Sequence, residues 1–339
     1  MLRYLSSRPE MRKPMMWVGN IILVASSVGA AFATNPVQLV MTQGVLNGIG
    51  SGLLFAPSMS LVDEWFAERR SLAYGIYFGA CSLAGAILPP IFSVILSRFG
   101  SKPMMIGWAI FSGLAISLSL LRIRSRLQTS TTAGGVSISY KFVDKPLFWL
   151  LVVSTVLQAL SQYLPAVYLP SYAVDFGAKV ENGALLLTYF NFASVICQPS
   201  LGFLADKYGV ALPLLLSTVI SSFAVLVIWG LSRHYWSVTL VAILFGGFSG
   251  GFVVLRNRFA TAIVGDSDHP SQELIVSGVL MLLRGIATLG SGFLGAKLVQ
   301  ETESMGLGSG SYAGKNSSLI DAMFSAYTGC ESGFKTANN

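Results

Sequence analysis

Charge is scarce in this 339-residue chain: Asp, Glu, Lys and Arg together make up only 11% of it. A soluble domain carries roughly 25%. So few charges cannot cover the surface of a soluble protein of this length, which excludes a water-soluble enzyme or binding domain. Cysteine is scarcer still. Cys81, Cys197 and Cys330 stand far apart, with no spacing that suits a disulfide framework or a metal cluster. The two histidines, His234 and His269, fall in expected loops on opposite sides. There is no phosphate-binding glycine loop and no nucleophile elbow. Enzyme chemistry and cofactors therefore have no residues to rest on, and neither is expected. The net charge of +7 belongs to no soluble domain, so it makes no case for nucleic acid.

What is present is apolar length. Apolar residues are 53% of the chain, and the mean hydropathy is +0.66. Nine runs of about 20 residues can cross a bilayer core: 15–34, 37–62, 71–97, 103–121, 147–170, 183–204, 210–232, 238–264 and 274–299. In hydrocarbon a backbone must satisfy its own hydrogen bonds, so these runs are expected to be helices. A barrel would instead show strands of about 10 residues with alternating polarity. The expected fold class is all-α integral membrane, and the first run is expected to be retained as a span rather than cleaved as a signal.

Basic residues give the orientation. Arg3, Arg8, Arg12, Lys13, Arg69, Arg70, Arg122, Arg124, Arg126, Lys141, Lys145, Lys207, Arg256 and Arg258 fall on one side. The opposite loops before the last span carry Arg98, Lys102, Lys179 and Arg233. Fourteen against four places the N-terminus in the cytoplasm. The long basic segment 122–146 separates four spans (1–121) from five (147–299), and a polar tail occupies 300–339. The tail carries the sequon Asn316-Ser-Ser, which faces outside in this topology.

Charge inside a membrane marks function by default. Arg284 lies deepest, about 15 Å into the last span. Ser277, Thr288, Ser291 and Gly295 share its face at three- and four-residue steps, as a cavity wall requires. A guanidinium there suits bidentate grip of a carboxylate. Amides supply the rest of the candidate site: Gln43 and Asn47, Gln158 and Gln162 beside Tyr163, and Asn191 and Gln198. Interhelical hydrogen bonding explains each amide equally well. Arg256 and Arg258 reach the cytoplasmic end by snorkelling, with substrate contact as the lesser reading. No acidic residue lies well inside a run. Glycines at four-residue spacing (Gly44, Gly48 and Gly52; Gly75 and Gly79; Gly246 with Gly250; Gly247 with Gly251) suit close helix packing. Pro57, Pro89, Pro90, Pro165 and Pro170 mark kinks or helix ends.

Two stretches carry a family pattern. The first is Thr42-Gln-Gly-Val-Leu-Asn-Gly-Ile-Gly-Ser-Gly-Leu-Leu-Phe-Ala-Pro57, followed by Asp63-Glu-Trp-Phe-Ala-Glu-Arg-Arg70 and Leu72-Ala-Tyr-Gly75. The second is Gly202-Phe-Leu-Ala-Asp-Lys-Tyr-Gly209. Together they resemble fungal monocarboxylate-transporter-like permeases of the major facilitator superfamily over about residues 3–300. The resemblance implies a two-bundle fold with substrate between the bundles. It maps the nine runs onto helices three to eleven of twelve, which makes the chain a truncated form. It implies a small organic acid as substrate, alternating access, proton symport as a family trait, and the plasma membrane as location. Read from the residues, the Asp206 carboxylate suits hydrogen bonds from a neighbouring helix N-terminus, or an ordinary solvated tight turn with Gly209 ending the helix; the resemblance implies a gating role for Gly202, Asp206, Lys207 and Gly209. Glu64, Glu68, Arg69 and Arg70 are expected to form exposed cytoplasmic ion pairs beside it, each worth about 0–1 kcal/mol. Where the family carries a basic residue near the end of its eighth helix, this chain reads Cys197-Gln198-Pro199. The alternative from another class is a truncated membrane protein that does not transport: a partner, a sensor or an inactive product.

Overall fold

The computed structural model describes residues 11–66, 68–123, 141–175, 180–231, 234–264 and 270–304. Arg3, Arg8, Arg124, Arg126, Lys179, Arg233, His269, Asn316 and Cys330 lie outside them. The described residues are all helical or connecting, with no strand among them. The helices are α1 (Arg12–Ala31), α2 (Pro36–Trp65), α3 (Arg70–Phe99), α4 (Ser101–Arg122), α5 (Pro146–Asp175), α6 (Val180–Tyr208), α7 (Ala211–Trp229), α8 (Tyr235–Ser249), α9 (Gly251–Val264) and α10 (Pro270–Ser304). Each apolar run lies largely within a helix. The eighth run divides into α8 and α9 at Gly250, and α10 continues to Ser304, past the boundary expected for the tail. Among the described residues, seven segments are long and apolar enough to cross a membrane. Their outward faces are apolar, with Trp236 79% and Phe293 78% exposed. Such faces suit lipid rather than water.

Local chemistry fixes the ends. Gly100 and Gly209 take φ +83 just after α3 and α6, a conformation that favours glycine. Pro36 opens α2 at its first turn, where a missing N–H leaves nothing unpaired. Lys145 donates to the carbonyl of Ile263 at 2.6 Å and so closes the end of α9. Two stretches, Val40–Leu46 in α2 and Ala224–Trp229 in α7, widen into π-helix.

The helices group into two compact units, one from Met1–Glu68 with Ile91–Ser137 and the other from Arg69–Pro90 with Ile138–Asn339. In the first, α1 packs between α2 and α4. Asn20 is buried there and donates to the carbonyl of Gly113 (3.3 Å) and the hydroxyl of Ser117 (2.9 Å). The close approach in this unit is Gly19 on Gly50: a Cβ at Gly50 would stand 3.0 Å from the Gly19 oxygen. The expected stripe of Gly44, Gly48 and Gly52 does not do this. A Cβ at Gly48 or Gly52 meets nothing within 4 Å among the described residues, and one at Gly44 meets only Val40 of its own helix. Four-residue spacing defines a face but does not say what covers it.

In the second unit, α6 packs against α5, α7, α8 and α9, and α10 packs against α5 and α9. Two apolar clusters lie at different heights along these helices. One joins Leu169, Leu186, Val238, Val241 and Phe245. The other joins Leu151, Ala205, Leu255, Phe259, Val276 and Leu280. On α5, on α6 and at the α8–α9 junction, the polar residues Gln158, Gln198 and Ser249 fall between the two sets. Arg284 follows the second set on α10 by one turn.

The first half of α3 also belongs to this unit and runs antiparallel to α6. A Cβ at Gly202 would stand 2.3 Å from the Ser71 oxygen, one at Gly75 2.6 Å from the Gln198 oxygen, and one at Gly79 3.3 Å from the Val195 oxygen. Here glycine is required because backbone meets backbone. Pro90 cannot donate to the carbonyl of Ala86, and Thr188 of α6 donates its hydroxyl to that oxygen at 3.3 Å.

Candidate functional site

Arg284 is buried, 8% exposed. Its Nη1 donates to Gln158 Oε1 and its Nη2 to Gln162 Oε1. The two glutamines are one turn apart on α5, which puts both amides on the same face. Gln158 Nε2 donates to Gln162 Oε1 (2.9 Å) and to the carbonyl of Ser249 (3.2 Å), the last residue of α8. Thr288 donates to the Arg284 carbonyl at 2.9 Å, and Ser291 to that of Thr288 at 2.8 Å. The two amides orient the guanidinium fork, a geometry able to receive a carboxylate.

The other sequence-chosen amides go elsewhere. Asn191 donates to the Leu187 carbonyl of its own helix at 2.9 Å and lies against Gly85 of α3. Gln198 is buried at the α8–α9 junction, where a Cβ on Gly250 would stand 2.5 Å from its Nε2. Gln43 and Asn47 belong to the other unit, inside and directly after the π-helical stretch of α2, and are half-buried. The side chain of Tyr163 lies outside the described residues.

A second polar cluster sits at the N-terminus of α3. Asp206 Oδ1 accepts from the Ser71 amide at 3.2 Å, and Oδ2 accepts from the Leu72 amide at 2.9 Å. Both are first-turn amides with no partner inside their own helix. Arg258 Nη2 donates to Asp206 Oδ1 at 2.7 Å, and Arg258 Nε to the Ser71 hydroxyl at 3.1 Å. Burial pushes the Asp206 carboxyl up. Hydrogen bonds from Arg258, the Leu72 amide and the hydroxyl and amide of Ser71 outweigh that effect and hold it below the ordinary carboxylate range. Gly202 permits the approach, Gly209 ends α6, and Lys207 is exposed with its Nζ 5.1 Å from the Tyr208 ring.

The ion pairs depart from expectation. Arg258 serves Asp206 rather than snorkelling alone. Arg256 is buried and donates to Met281 Sδ at 2.7 Å. Glu64 pairs with Arg12, and both side chains are under 10% exposed, so this is a buried pair rather than an exposed one. Arg70 pairs with Glu273 of α10 at 3.1 Å. Glu68 and Arg69 are exposed. Each pair joins residues far apart in sequence, which nothing in local spacing announces.

A multi-pass helical membrane chain with a buried arginine in a layer of amides, and with a carboxylate closing a helix N-terminus, fits a transporter architecture. The Major Facilitator Superfamily profile matches residues 2–289, and the chain belongs to that superfamily. Monocarboxylate transporter 4 of Rattus norvegicus is 26% identical over 309 residues, covering 86% of this chain and 64% of that protein. The MFS transporter asaE of Aspergillus flavus is 24% identical over 285 residues, covering 83% and 63%. The MFS-type transporter pynF of Aspergillus niger is 26% identical over 283 residues, covering 80% and 61%. The chain thus spans somewhat under two thirds of each of these relatives. They are transporters, not enzymes. Among solved structures, a bacterial homologue of the human lysosomal transporter Spinster aligns with TM-score 0.54 and 19% identity, covering 94% of this chain and 77% of that one, a likeness of fold alone.

Proposed function

We propose that this protein moves a small organic acid across a membrane by alternating access, with Arg284 reading the carboxylate. The observation that carries the proposal is the Arg284 fork, buried in the bundle and held by two neutral amides of α5. Gln158 and Gln162 are then positioning groups. Gln198 and Asn191 lie in the same unit as Arg284 and are the further polar candidates there. The names of the monocarboxylate relatives support the acid class. The basic-residue count supports a cytoplasmic N-terminus, and the plasma membrane is the compartment in which uptake is to be sought. The Asp206 cluster, with Gly202, Lys207 and Gly209, is the gate of one state. Arg69 and Arg70 directly precede its Ser71 and Leu72 amides. Proton symport is the coupling mode within this reading. The paired acids Glu64, Asp206 and Glu273 all sit at helix ends, so coupling would run through the gate rather than the carboxylate site.

The test is uptake of labelled small monocarboxylates by cells or vesicles carrying the protein. Arg284→Gln is expected to abolish saturable uptake at unchanged surface expression. Retained uptake removes the assignment.

A further inference from the structure

We propose that Gln158 is a positioning residue that couples the Arg284 guanidinium to the break between α8 and α9. The coupling bears on transport only if Arg284 is the carboxylate reader proposed above, but it can be tested without any substrate.

The break is built from three borrowed donors. A helix end leaves carbonyls short of partners; three of them here accept from neighbouring helices, and the Phe248 oxygen also accepts a backbone N–H at the cap. Ser194 of α6 donates to the Gly246 oxygen at 2.6 Å, Ser217 of α7 to that of Phe248 at 2.6 Å, and Gln158 of α5 to that of Ser249 at 3.2 Å. Of the three donors, Gln158 is the one that also accepts from Arg284. Its amide is fully engaged. The oxygen takes Arg284, one N–H takes Gln162 and the other takes Ser249. A planar amide cannot turn its oxygen without turning its nitrogen. A carboxylate that takes the Nη1–Nη2 fork competes with the amide oxygens. When the Gln158 amide turns aside, Nε2 leaves the Ser249 carbonyl, and Gly250 alone carries the chain into α9.

Two buried atoms at the same place support a second arrangement. Gln198 Oε1 and Ser249 Oγ have no partner among the described residues in this one. An unmade buried hydrogen bond is unfavourable, so a shift at Gly250 that pairs them compensates for the carbonyl released. Gly250 also lies directly on the Gln198 amide, and the Gln198 carbonyl seats Gly75 of α3. The occupied arginine thereby reaches the α3–α6 seam through contacting groups within one unit.

Cys197 supplies a native reporter. Its Sγ lies 2.8 Å from where a Gly247 Cβ would stand, beside the break. The experiment uses the full chain with Cys81→Ser and Cys330→Ser, and measures the N-ethylmaleimide alkylation rate of Cys197. Gln158→Glu keeps an acceptor for Arg284 and loses the donor to Ser249, so the rate is expected to rise about fivefold or more. Gln162→Glu touches the arginine but not the break, and is expected to stay within about twofold. Arg284→Gln leaves the Gln158 amide without its anchor. It should raise the rate by itself and make the Gln158→Glu effect less than additive. Equal rates in the two glutamate variants, or strict additivity with Arg284→Gln, overturn the coupling. Gln158→Leu, checked for monodispersity, repeats the donor loss without a buried acid. If neither Gln158 variant folds, the Arg284→Gln rate decides alone, and an unchanged rate overturns the proposal. Failure of the two readings is distinguishable. Lost uptake with additive alkylation effects removes only the coupling. Retained uptake with the non-additive pattern removes only the carboxylate reading.

Discussion

Arg258 and Arg284 belong to the same unit and have opposite surroundings. The Arg258 side chain is 35% exposed and faces a carboxylate that also grips two helix amides. Arg284 is 8% exposed and faces two neutral amides in the middle of the bundle. A charge met by an opposite charge at a helix end acts as a fastener, and its loss loosens packing. A charge held by amide dipoles is oriented by them, and on the function proposed above its loss removes recognition. The largest expected effect separates these roles. Arg284→Lys keeps the charge and loses the fork, so uptake should fall by at least about tenfold. Arg258→Lys keeps a point charge on Asp206 and should retain most uptake. Similar losses in the two variants, at equal surface expression, would break the comparison.

A second contrast lies between that exposed fastener and the buried one in the other unit. The Arg12 and Glu64 side chains are 7% and 8% exposed. Removing one partner of a buried pair leaves a stranded charge and costs about 3–5 kcal/mol, whereas replacing both by apolar groups is often neutral. Arg12→Leu is therefore expected to lower thermal stability strongly, and Arg12→Leu with Glu64→Leu to recover most of it. A double variant as unstable as the single one would show that the pair is worth more than its surroundings. The same assay separates two glycines of similar sequence pattern. Gly75→Leu drives a side chain into the Gln198 carbonyl and should cost about 1–3 kcal/mol or more. Gly48→Leu enters open space and should change little.

These contrasts mark how far the sequence could be read. The helical, membrane-spanning character was legible because bilayer crossing averages over about 20 residues, and seven segments among the described residues are long and apolar enough to cross. Arg284 was legible as an isolated charge, and Gln158 with Gln162 as a one-turn pair. The break at Gly250 was not legible, because Gly246, Gly247, Gly250 and Gly251 read equally well as packing glycines. They are packing glycines as well: a Cβ at Gly246 would stand 2.4 Å from the Phe190 oxygen. The Gly44–Gly52 stripe misled for the same reason in reverse, since Gly50, off that stripe, makes the contact. The pairings Arg12–Glu64, Arg70–Glu273 and Arg258–Asp206 were hidden because partner choice is a tertiary property. That Asp206 would accept from a helix N-terminus was legible from the chemistry of a carboxylate in that turn; which helix, and that Arg258 would join it, was not.

The smallest effect concerns the Asp206 fastener, and it is the most specific in sign. A carboxyl whose folded value is depressed contributes its stabilisation above its ordinary value and loses it as pH falls through the depressed one. Asp206 is depressed by Arg258 and by the Ser71 and Leu72 groups, against the opposing effect of burial. Hydrogen exchange at the Ser71 and Leu72 amides should therefore be equally protected, after correction for intrinsic rates, from pH 8 down to about 5. Protection should fall only below the ordinary carboxylate range. Asp206→Asn removes the charge and one acceptor, and should speed exchange at these two amides by roughly tenfold, about 1.4 kcal/mol, at every pH in that window. A wild-type loss of protection between pH 8 and 5 would mean that another group controls the end of α3. Unaltered exchange in Asp206→Asn would mean that glycine packing against α6, rather than the carboxylate, holds α3 in place.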